Sequence, residues 1–211
     1  SFEYDARKIY LYPNNKAIVL DDIRVALEKF DAWQQAIGNE RRRVEYSDWQ
    51  IPKERYYSEK HIKEEIENHA LFPFYEQNGA SNPEKLFKQF LIDHADKIKY
   101  WYKNGDSGRE HFAIDYVDSN GVKRLFYVDF IVVTMDNRIG LFDTKTLKSD
   151  IVDANKHNAL RKWMRNNGEQ YFGGILIPVE TAGVWKFYYS NFDLEENKYI
   201  DTTTGFTDLR F

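Results

Sequence analysis

The sequence predicts an α/β fold in which a mixed sheet is flanked by helices, and three observations predict it. From residue 81 onward, segments with the apolar period of a helix alternate with short apolar runs typical of strands. Turn signals such as Ser119-Asn120-Gly121 separate the runs. An apolar content of 42% with 17% aromatic residues supports a packed core. The resulting order of helix, three strands, helix and strand indicates a layered α/β domain.

The region from residue 1 to residue 80 is predicted to be a connecting region of short strands and helices. Asp21-Asp22 is expected to begin a helix, because apolar residues recur after it at helical spacing. The remaining segments are polar and irregular or carry turn signals. The expected elements are strands at 8–12 and 17–20, a helix from 21 to about 37, and a short helix at 59–69.

The region from residue 81 to residue 211 is predicted to form the α/β domain itself. Asn82 is a suitable helix cap and Pro83 suits the first helical position. The apolar stripe of this helix is expected to include Ile98. The elements that follow are expected to be strands at 110–117, 124–134 and 138–146, a helix at 151–166, and strands at 173–179 and 184–190.

Two neighbouring predicted strands each carry an acid inside an apolar run. Asp129 lies in Phe-Tyr-Val-Asp-Phe-Ile-Val-Val, and Asp143 lies in Ile-Gly-Leu-Phe-Asp-Thr-Lys-Thr. A buried carboxylate is costly unless it is paired or binds a metal. The two acids are therefore candidate functional residues. For Asp129, a satisfied carboxylate at a strand end, paired with Lys145, is the alternative.

The register between the two strands decides whether the acids meet. Side chains alternate along a strand, so Asp143 and Lys145 point the same way, about 7 Å apart. Asp129 lies opposite Asp143 only if the connecting loop has an odd length, such as residues 135–137, or contains a bulge. A two-residue loop would place the two acids on opposite faces of the sheet. We predict the odd loop or a bulge.

This arrangement predicts a metal-dependent phosphodiesterase site. The carboxylates of Asp129 and Asp143, with the carbonyl of Thr144, are the hard oxygen ligands that suit Mg²⁺ or Mn²⁺. Such a metal polarises a phosphate and lowers the pKa of a bound water. Lys145 is close enough to orient that water or to stabilise charge on the transition state.

An acid on one strand followed by Asp-x-Lys on the next resembles the PD-(D/E)XK nuclease superfamily. Glu84, in Pro-Glu-Lys-Leu-Phe, looks like the acidic residue of that family's first core helix. Further segments resemble the C-terminal nuclease domain of type III restriction-enzyme Res subunits and related DEAD/DEAH-type helicases. The resemblance covers residues 81–190, and these segments are Trp101-Tyr102-Lys103-Asn104, Phe112-Ala113-Ile114-Asp115-Tyr116 and Tyr127-Val128-Asp129-Phe130.

The resemblance implies a restriction-endonuclease-like mixed sheet and a Mg²⁺-dependent DNA endonuclease. It implies that the chain is linked to a helicase/ATPase and works with a modification subunit. The chain has no Walker A sequence, so it cannot be the ATP-driven translocase itself. The implied site consists of Asp129, Asp143, Lys145 and Glu84, with Glu84 also on the metal and with Lys156 and Lys148 as DNA contacts.

Several features leave alternatives open. Val128 replaces the proline that often precedes the first acid of the family, and Asp143 replaces the more usual glutamate. Ser81-x-x-Glu84 is also a capping box, in which the glutamate serves only the helix start. Lys156 is equally well explained as a solvated helix residue. The net charge of -4 mildly favours a non-catalytic module with the nuclease fold that binds DNA or a protein.

The composition narrows the class of protein further. The chain lacks cysteine, which fits a reducing compartment, and we expect a cytoplasmic location. No apolar run approaches the roughly 20 residues needed to cross a bilayer, so no membrane partner is expected. An RNase or a hydrolase of small phosphates remains an alternative to a DNA nuclease.

Overall fold

In a computed structural model of the chain, the residues described are 17–30, 49–55, 57–76, 79–108 and 110–211. They belong to two compact units, residues 1–45 and 46–211. In the first unit, residues 17–30 form one helix, α1. The strand predicted at 17–20 is therefore wrong, because Leu20 continues the helical spacing of the later apolar residues.

The helix predicted from Asp21 is confirmed as far as residue 30. Its predicted continuation to residue 37 and the strand predicted at 8–12 lie outside the described residues. None of the helices in the described segments is long and apolar enough to cross a membrane.

A six-stranded mixed sheet forms the centre of the second unit. Only β5 (Ile139–Thr144) and β7 (Tyr171–Thr181) pair in parallel, and the other neighbours in this sheet are antiparallel. This sheet confirms the predicted α/β class. In spatial order the strands are β1 (Ile98–Lys103), β4 (Phe130–Thr134), β5 (Ile139–Thr144), β7 (Tyr171–Thr181), β8 (Val184–Tyr189) and β10 (Thr207–Asp208).

Two smaller antiparallel pairs lie beside the main sheet. One is the hairpin of β2 (Ala113–Val117) and β3 (Lys123–Tyr127). The other joins β6 (Ile151–Val152) to β9 (Lys198–Tyr199), which ties the chain after β5 to the C-terminal segment. The remaining regular elements of the second unit are helices α2 (Asn82–Asp93) and α3 (Ala154–Asn167) and the 3₁₀ turns Glu59–His61 and Ala95–Lys97.

The two helices of the second unit cover opposite faces of the main sheet. Phe87 and Leu91 of α2 pack in a core with Trp101, Phe130 and Phe142. On the other face, α3 and the β2–β3 hairpin complete a second core. That core contains Tyr102, Ile114, Phe126, Ile131, Leu141, Leu160 and Met164. The alternation of neighbouring strand residues between the two cores explains why the strands are apolar on both sides.

Helix α2 begins one residue earlier than predicted and ends sooner. Ser81 is the N-cap, and it forms a capping box with Glu84. Asn82 is thus already helical rather than the cap. Ile98 is not on the helix but begins β1, a strand that the sequence did not predict. Pairing with β4 recruits this segment into the sheet, a long-range effect that helical spacing cannot register.

The strand predicted at 124–134 is two strands in two different sheets. The chain leaves β3 at Tyr127 and enters β4 at Phe130. The fully buried Asn104 fixes the break, because its Nδ2 donates to the Val128 carbonyl at 2.9 Å and to the Phe112 carbonyl at 2.7 Å. Its backbone N–H donates to the Asp129 carbonyl at 2.9 Å. Asp129 therefore stands at the entrance to β4 rather than in the middle of a strand.

The helix predicted at 59–69 is reduced to the single 3₁₀ turn Glu59–His61. The backbone beyond it bonds to the sheet instead, since Ala70 N–H donates to Trp101 O and Trp101 N–H to Asn68 O, both at 2.8 Å. Leu71 and Phe74 are buried with the strand residues. The division at residue 80 stays a prediction about domain organisation.

The later elements agree with the sequence in type. The strands predicted at 110–117, 138–146, 173–179 and 184–190 correspond to β2, β5, β7 and β8, with small differences in length. The helix predicted from residue 151 begins at Ala154, because residues 151–152 form β6 and Asp153 caps the helix.

Candidate active site

The β4–β5 hairpin is in the register that brings the two predicted acids together. Phe130 pairs with Phe142 and Ile131 with Leu141. The connecting turn between Thr134 and Arg138 has three residues, and its last residue, Asn137, has a φ of 69°. One step beyond the strand, Asp129 therefore lies opposite Asp143, and its N–H donates to the Phe142 carbonyl at 2.8 Å. The predicted odd loop is confirmed.

Asp129 is held against the end of β5 by Thr144. Its Oδ2 accepts from the Thr144 N–H at 2.6 Å and from the Thr144 hydroxyl at 2.7 Å. Burial, and then the neighbouring Asp143, raise the pKa of Asp129 to about 6. A buried carboxyl group whose pKa is raised by burial and by a neighbouring acid is a candidate member of a functional site.

Asp143 forms an ion pair with Lys145, as expected for side chains on the same face. The Lys145 Nζ lies 3.0 Å from Oδ1 and 2.9 Å from Oδ2 of Asp143, and 3.3 Å from the Thr144 carbonyl. Burial lowers the pKa of Lys145, but the interactions with Asp143 outweigh it and the net pKa is raised. The Lys145 ammonium stays charged. It contacts two of the groups that were predicted to bind the metal, the Asp143 carboxylate and the Thr144 carbonyl.

Lys103 is a member of the site that the sequence analysis missed. Its side chain is only 8% exposed, and its Nζ lies 2.9 Å from Glu84 Oε2 and 3.9 Å from Asp129 Oδ1. The Nζ also lies 4.9 Å from the centre of the Phe130 ring. A lysine at the end of the apolar run Ile98-Lys-Tyr-Trp-Tyr-Lys was the available signal, but only a strand assignment for β1 would have placed it beside Asp129.

Glu84 takes part in both arrangements that the sequence left open. Its Oε1 accepts from the Ser81 hydroxyl at 3.0 Å, so the capping box is present. Its Oε2 faces Lys103 and reaches Asp129 only through that ammonium. The role of Glu84 as a direct metal ligand stays a prediction.

A cavity of about 180 Å³ opens beside Asp143, between β5 and the start of α3. Lys145 and Lys156 line it together with Asp143. The Nζ of Lys156 lies 5.8 Å from the Tyr116 ring centre, so the ammonium is held over the β2–β3 hairpin. Lys148 is on the exposed loop that leads from β5 to β6. Lys156 is thus placed next to the acids, and the roles of both lysines as DNA contacts stay predictions.

The donor set at the hairpin end fits a hard divalent cation. The Asp129 Oδ1, the Asp143 carboxylate and the Thr144 carbonyl all supply oxygen. In the part of the chain that the structure describes, no three His, Cys, Asp or Glu side chains are grouped to hold a metal. A Mg²⁺ ion here would therefore have two protein carboxylates and would complete its shell with water and phosphate oxygens, as this ion commonly does. Lys145 would have to leave Asp143 first.

Comparison with known proteins gives no match to a family model, a curated protein or a solved structure. The similarity to PD-(D/E)XK nucleases therefore depends on the motifs in the sequence.

Proposed function

We propose that this chain is a metal-dependent nuclease domain of the PD-(D/E)XK type, which hydrolyses phosphodiester bonds in DNA with Mg²⁺ or Mn²⁺. One observation carries the proposal: the hairpin register places Asp129 opposite Asp143, and Lys145 forms an ion pair with the Asp143 carboxylate. A fold that needed only stability would not hold two carboxylates together in a half-buried site, because each opposes the charge of the other.

The proposed mechanism assigns a distinct task to each side chain. Asp129 and Asp143, with the Thr144 carbonyl, would hold the ion, which supplies polarisation of the phosphate and a more acidic water when bound. Lys145 moves from Asp143 towards the cavity and donates hydrogen bonds where negative charge develops on the phosphorus-bound oxygens. Lys156, on the wall of the same cavity, binds a neighbouring phosphate of the strand.

Other features support the nuclease assignment. The mixed sheet is flanked by α2 and α3, as the resemblance implies, and Glu84 lies on the helix that precedes the sheet. In this proposal the chain belongs to a type III restriction enzyme or another helicase-linked nuclease. A helicase/ATPase and a modification subunit would supply movement along DNA and recognition, so the isolated chain is expected to cut slowly and with little sequence preference.

A second candidate is a non-catalytic module that keeps the same fold to bind DNA or a protein. The observation that favours it is the position of Lys145, which satisfies Asp143 and the Thr144 carbonyl without any metal. A relic whose charges are all paired internally would look the same. The two candidate functions differ in whether added Mn²⁺ displaces the Lys145 ammonium from Asp143.

The test is cleavage of supercoiled plasmid by the purified chain in Mg²⁺ or Mn²⁺, with EDTA as the blank. We expect nicking by the wild type and none by Asp143→Ala. Asp136→Ala, at the other end of the same hairpin, is the matched control and should cut like the wild type. DNA binding without cleavage in either metal would support the non-catalytic module, and cleavage by Asp143→Ala would exclude the proposed site.

A further inference from the structure

We propose that Lys103 takes the place of a second metal ion, so that the site holds one divalent cation per chain. This inference deepens the proposed function and rests on it. Acidic sites for phosphate chemistry use either one or two metal ions, and in a pair the second ion neutralises charge beside the first. Among the described residues, Lys103 and Lys145 are the lysines within 4 Å of the three carboxylates, which are those of Glu84, Asp129 and Asp143.

The position of Lys103 is the first argument. Its Nζ lies between Glu84 Oε2, at 2.9 Å, and Asp129 Oδ1, at 3.9 Å. This is the side of Asp129 that faces away from Thr144, whose two donors both go to Oδ2. A metal bound between Glu84 and Asp129 would have to occupy the volume that the ammonium already fills.

The surrounding space is the second argument. The cavity that Lys103 lines together with Glu84 and Phe130 has a volume of about 10 Å³. About this much volume is needed for one water molecule. This cavity is therefore too small to hold a second cation together with its hydration shell beside Lys103 and Glu84. Withdrawing the ammonium would also leave Glu84 without its buried partner, which is strongly unfavourable.

Lys145 provides the contrast. Its side chain is 25% exposed, and it lines the 180 Å³ cavity next to Asp143. A flexible lysine stem can swing into that space and keep its charge solvated. Lys145 can therefore move away from Asp143 so that a metal binds there, whereas Lys103 stays between Glu84 and Asp129 and prevents a metal from binding between them. Lys103 is a positioning residue: it holds Asp129 from the side opposite Thr144 and acts on the metal only through that carboxylate.

The test counts Mn²⁺ bound per chain by equilibrium dialysis, with the full 211-residue chain, in the absence and presence of a short DNA duplex. We expect one ion for the wild type. Lys103→Met should bind a second ion, because Glu84 and Asp129 then face each other without a cation. Lys103→Arg, which keeps the charge, should bind one, and the double variant Lys103→Met/Glu84→Gln should return to one.

Lys88→Met is the matched control. Lys88 pairs with Glu76 at 3.1 Å and lies 5.2 Å from the Phe74 ring centre, so it repeats the lysine, carboxylate and ring of Lys103 away from Asp129. The Lys88→Met variant should bind one Mn²⁺ ion per chain, like the wild type. Thermal unfolding of each variant shows which of them are folded.

The outcomes separate this inference from the proposed function. No bound Mn²⁺ in the wild type, with or without duplex, would overturn both. Two ions in the wild type would overturn the inference and leave the nuclease proposal standing. A folded Lys103→Met that binds one ion would also overturn the inference. If Lys103→Met does not fold, the counts for the wild type and Lys103→Arg decide, and two ions in either would exclude the role of Lys103.

Discussion

The two ends of the β4–β5 hairpin contain the same pair of residue types and use them in opposite ways. At the turn, the Thr134 hydroxyl donates to Asp136, and Arg138 Nε lies 2.7 Å from the same carboxylate. At the open end, the Thr144 hydroxyl donates to Asp129 at 2.7 Å. The hydrogen bonds from Thr134 and Arg138 lower the pKa of Asp136 to about 2. Burial and Asp143 raise that of Asp129 to about 6.

The difference between the ends comes from the hydrogen bonds at the turn and from the surroundings at the open end. Asp136 is 57% exposed and has a guanidinium beside it, so its charge is favoured. Asp129 also accepts from a threonine hydroxyl, but it is enclosed and faces a second acid. This contrast supports the proposal that Asp129 serves the function of the site rather than the stability of the fold. The predictions below test this contrast.

The largest effect is expected from Lys145→Ala. Removing the donor that stabilises charge in the transition state should reduce the rate of DNA cleavage by about 10²- to 10³-fold, the usual cost of losing one such group. Single-turnover cleavage in Mn²⁺ measures it, and circular dichroism checks the fold. Arg138→Ala removes the basic partner at the turn end and should leave the rate unchanged. A Lys145→Ala protein that cuts at the wild-type rate would remove Lys145 from the mechanism.

Asp129→Asn should change how stability depends on pH. The pKa of Asp129 rises from its ordinary value of 3.8 to about 6 on folding, so folded Asp129 holds its proton more tightly than the unfolded chain does. The stability it contributes is complete below pH 3.8 and is lost as the pH rises through 6, by on the order of 3 kcal/mol. Asparagine does not titrate.

The measurement for Asp129→Asn is urea unfolding at pH 4 and pH 7 with EDTA present. The unfolding free energy of the variant minus that of the wild type should be larger at pH 7 than at pH 4. Any fixed cost of placing an amide beside Lys103 is the same at both pH values and cancels in this difference. A difference between wild type and variant that does not change with pH would mean that folding does not raise the pKa of Asp129.

Thr144→Val should cost about 1.5 to 3 kcal/mol of unfolding free energy at pH 7, the usual value of a hydrogen bond to a charged group. The loss of the hydroxyl leaves Asp129 Oδ2 with only the Thr144 N–H. Thr134→Val is the corresponding change at the turn, where the hydroxyl donates to Asp136 and also accepts from the Arg138 N–H at 3.0 Å. It should cost less, because Asp136 and Arg138 are exposed and water can replace the hydroxyl as their partner. Urea midpoints of the two variants give the comparison, and equal costs would contradict it.

The features that could be predicted from the sequence are those that depend on neighbouring residues. The alternation of Asp143 and Lys145 and the odd turn after Thr134 are local, and together they give the register that brings Asp129 to Asp143. The capping box at Ser81 was equally visible, because it needs only the spacing to Glu84.

The features that could not be predicted depend on distant contacts. Strand β1 is defined by pairing with β4, about thirty residues later, and without it Lys103 had no place near the acids. The break at Asp129 depends on the buried amide of Asn104. Likewise, the helix at residues 17–20 was misassigned because four residues are too few to distinguish a helical period from a strand.

The smallest effect is expected at the turn, from Asp136→Asn, and its sign should be opposite to that of Asp129→Asn. The pKa of Asp136 falls from 3.8 to about 2 on folding, so its stabilising contribution is present above pH 3.8 and is lost as the pH falls through 2. The variant should therefore be slightly less stable than the wild type at pH 7, and the difference should shrink towards pH 2. Urea unfolding over this range measures it. A variant whose stability relative to the wild type rises between pH 4 and pH 7, as expected for Asp129→Asn, would mean that the two ends of the hairpin do not differ in the way their surroundings require.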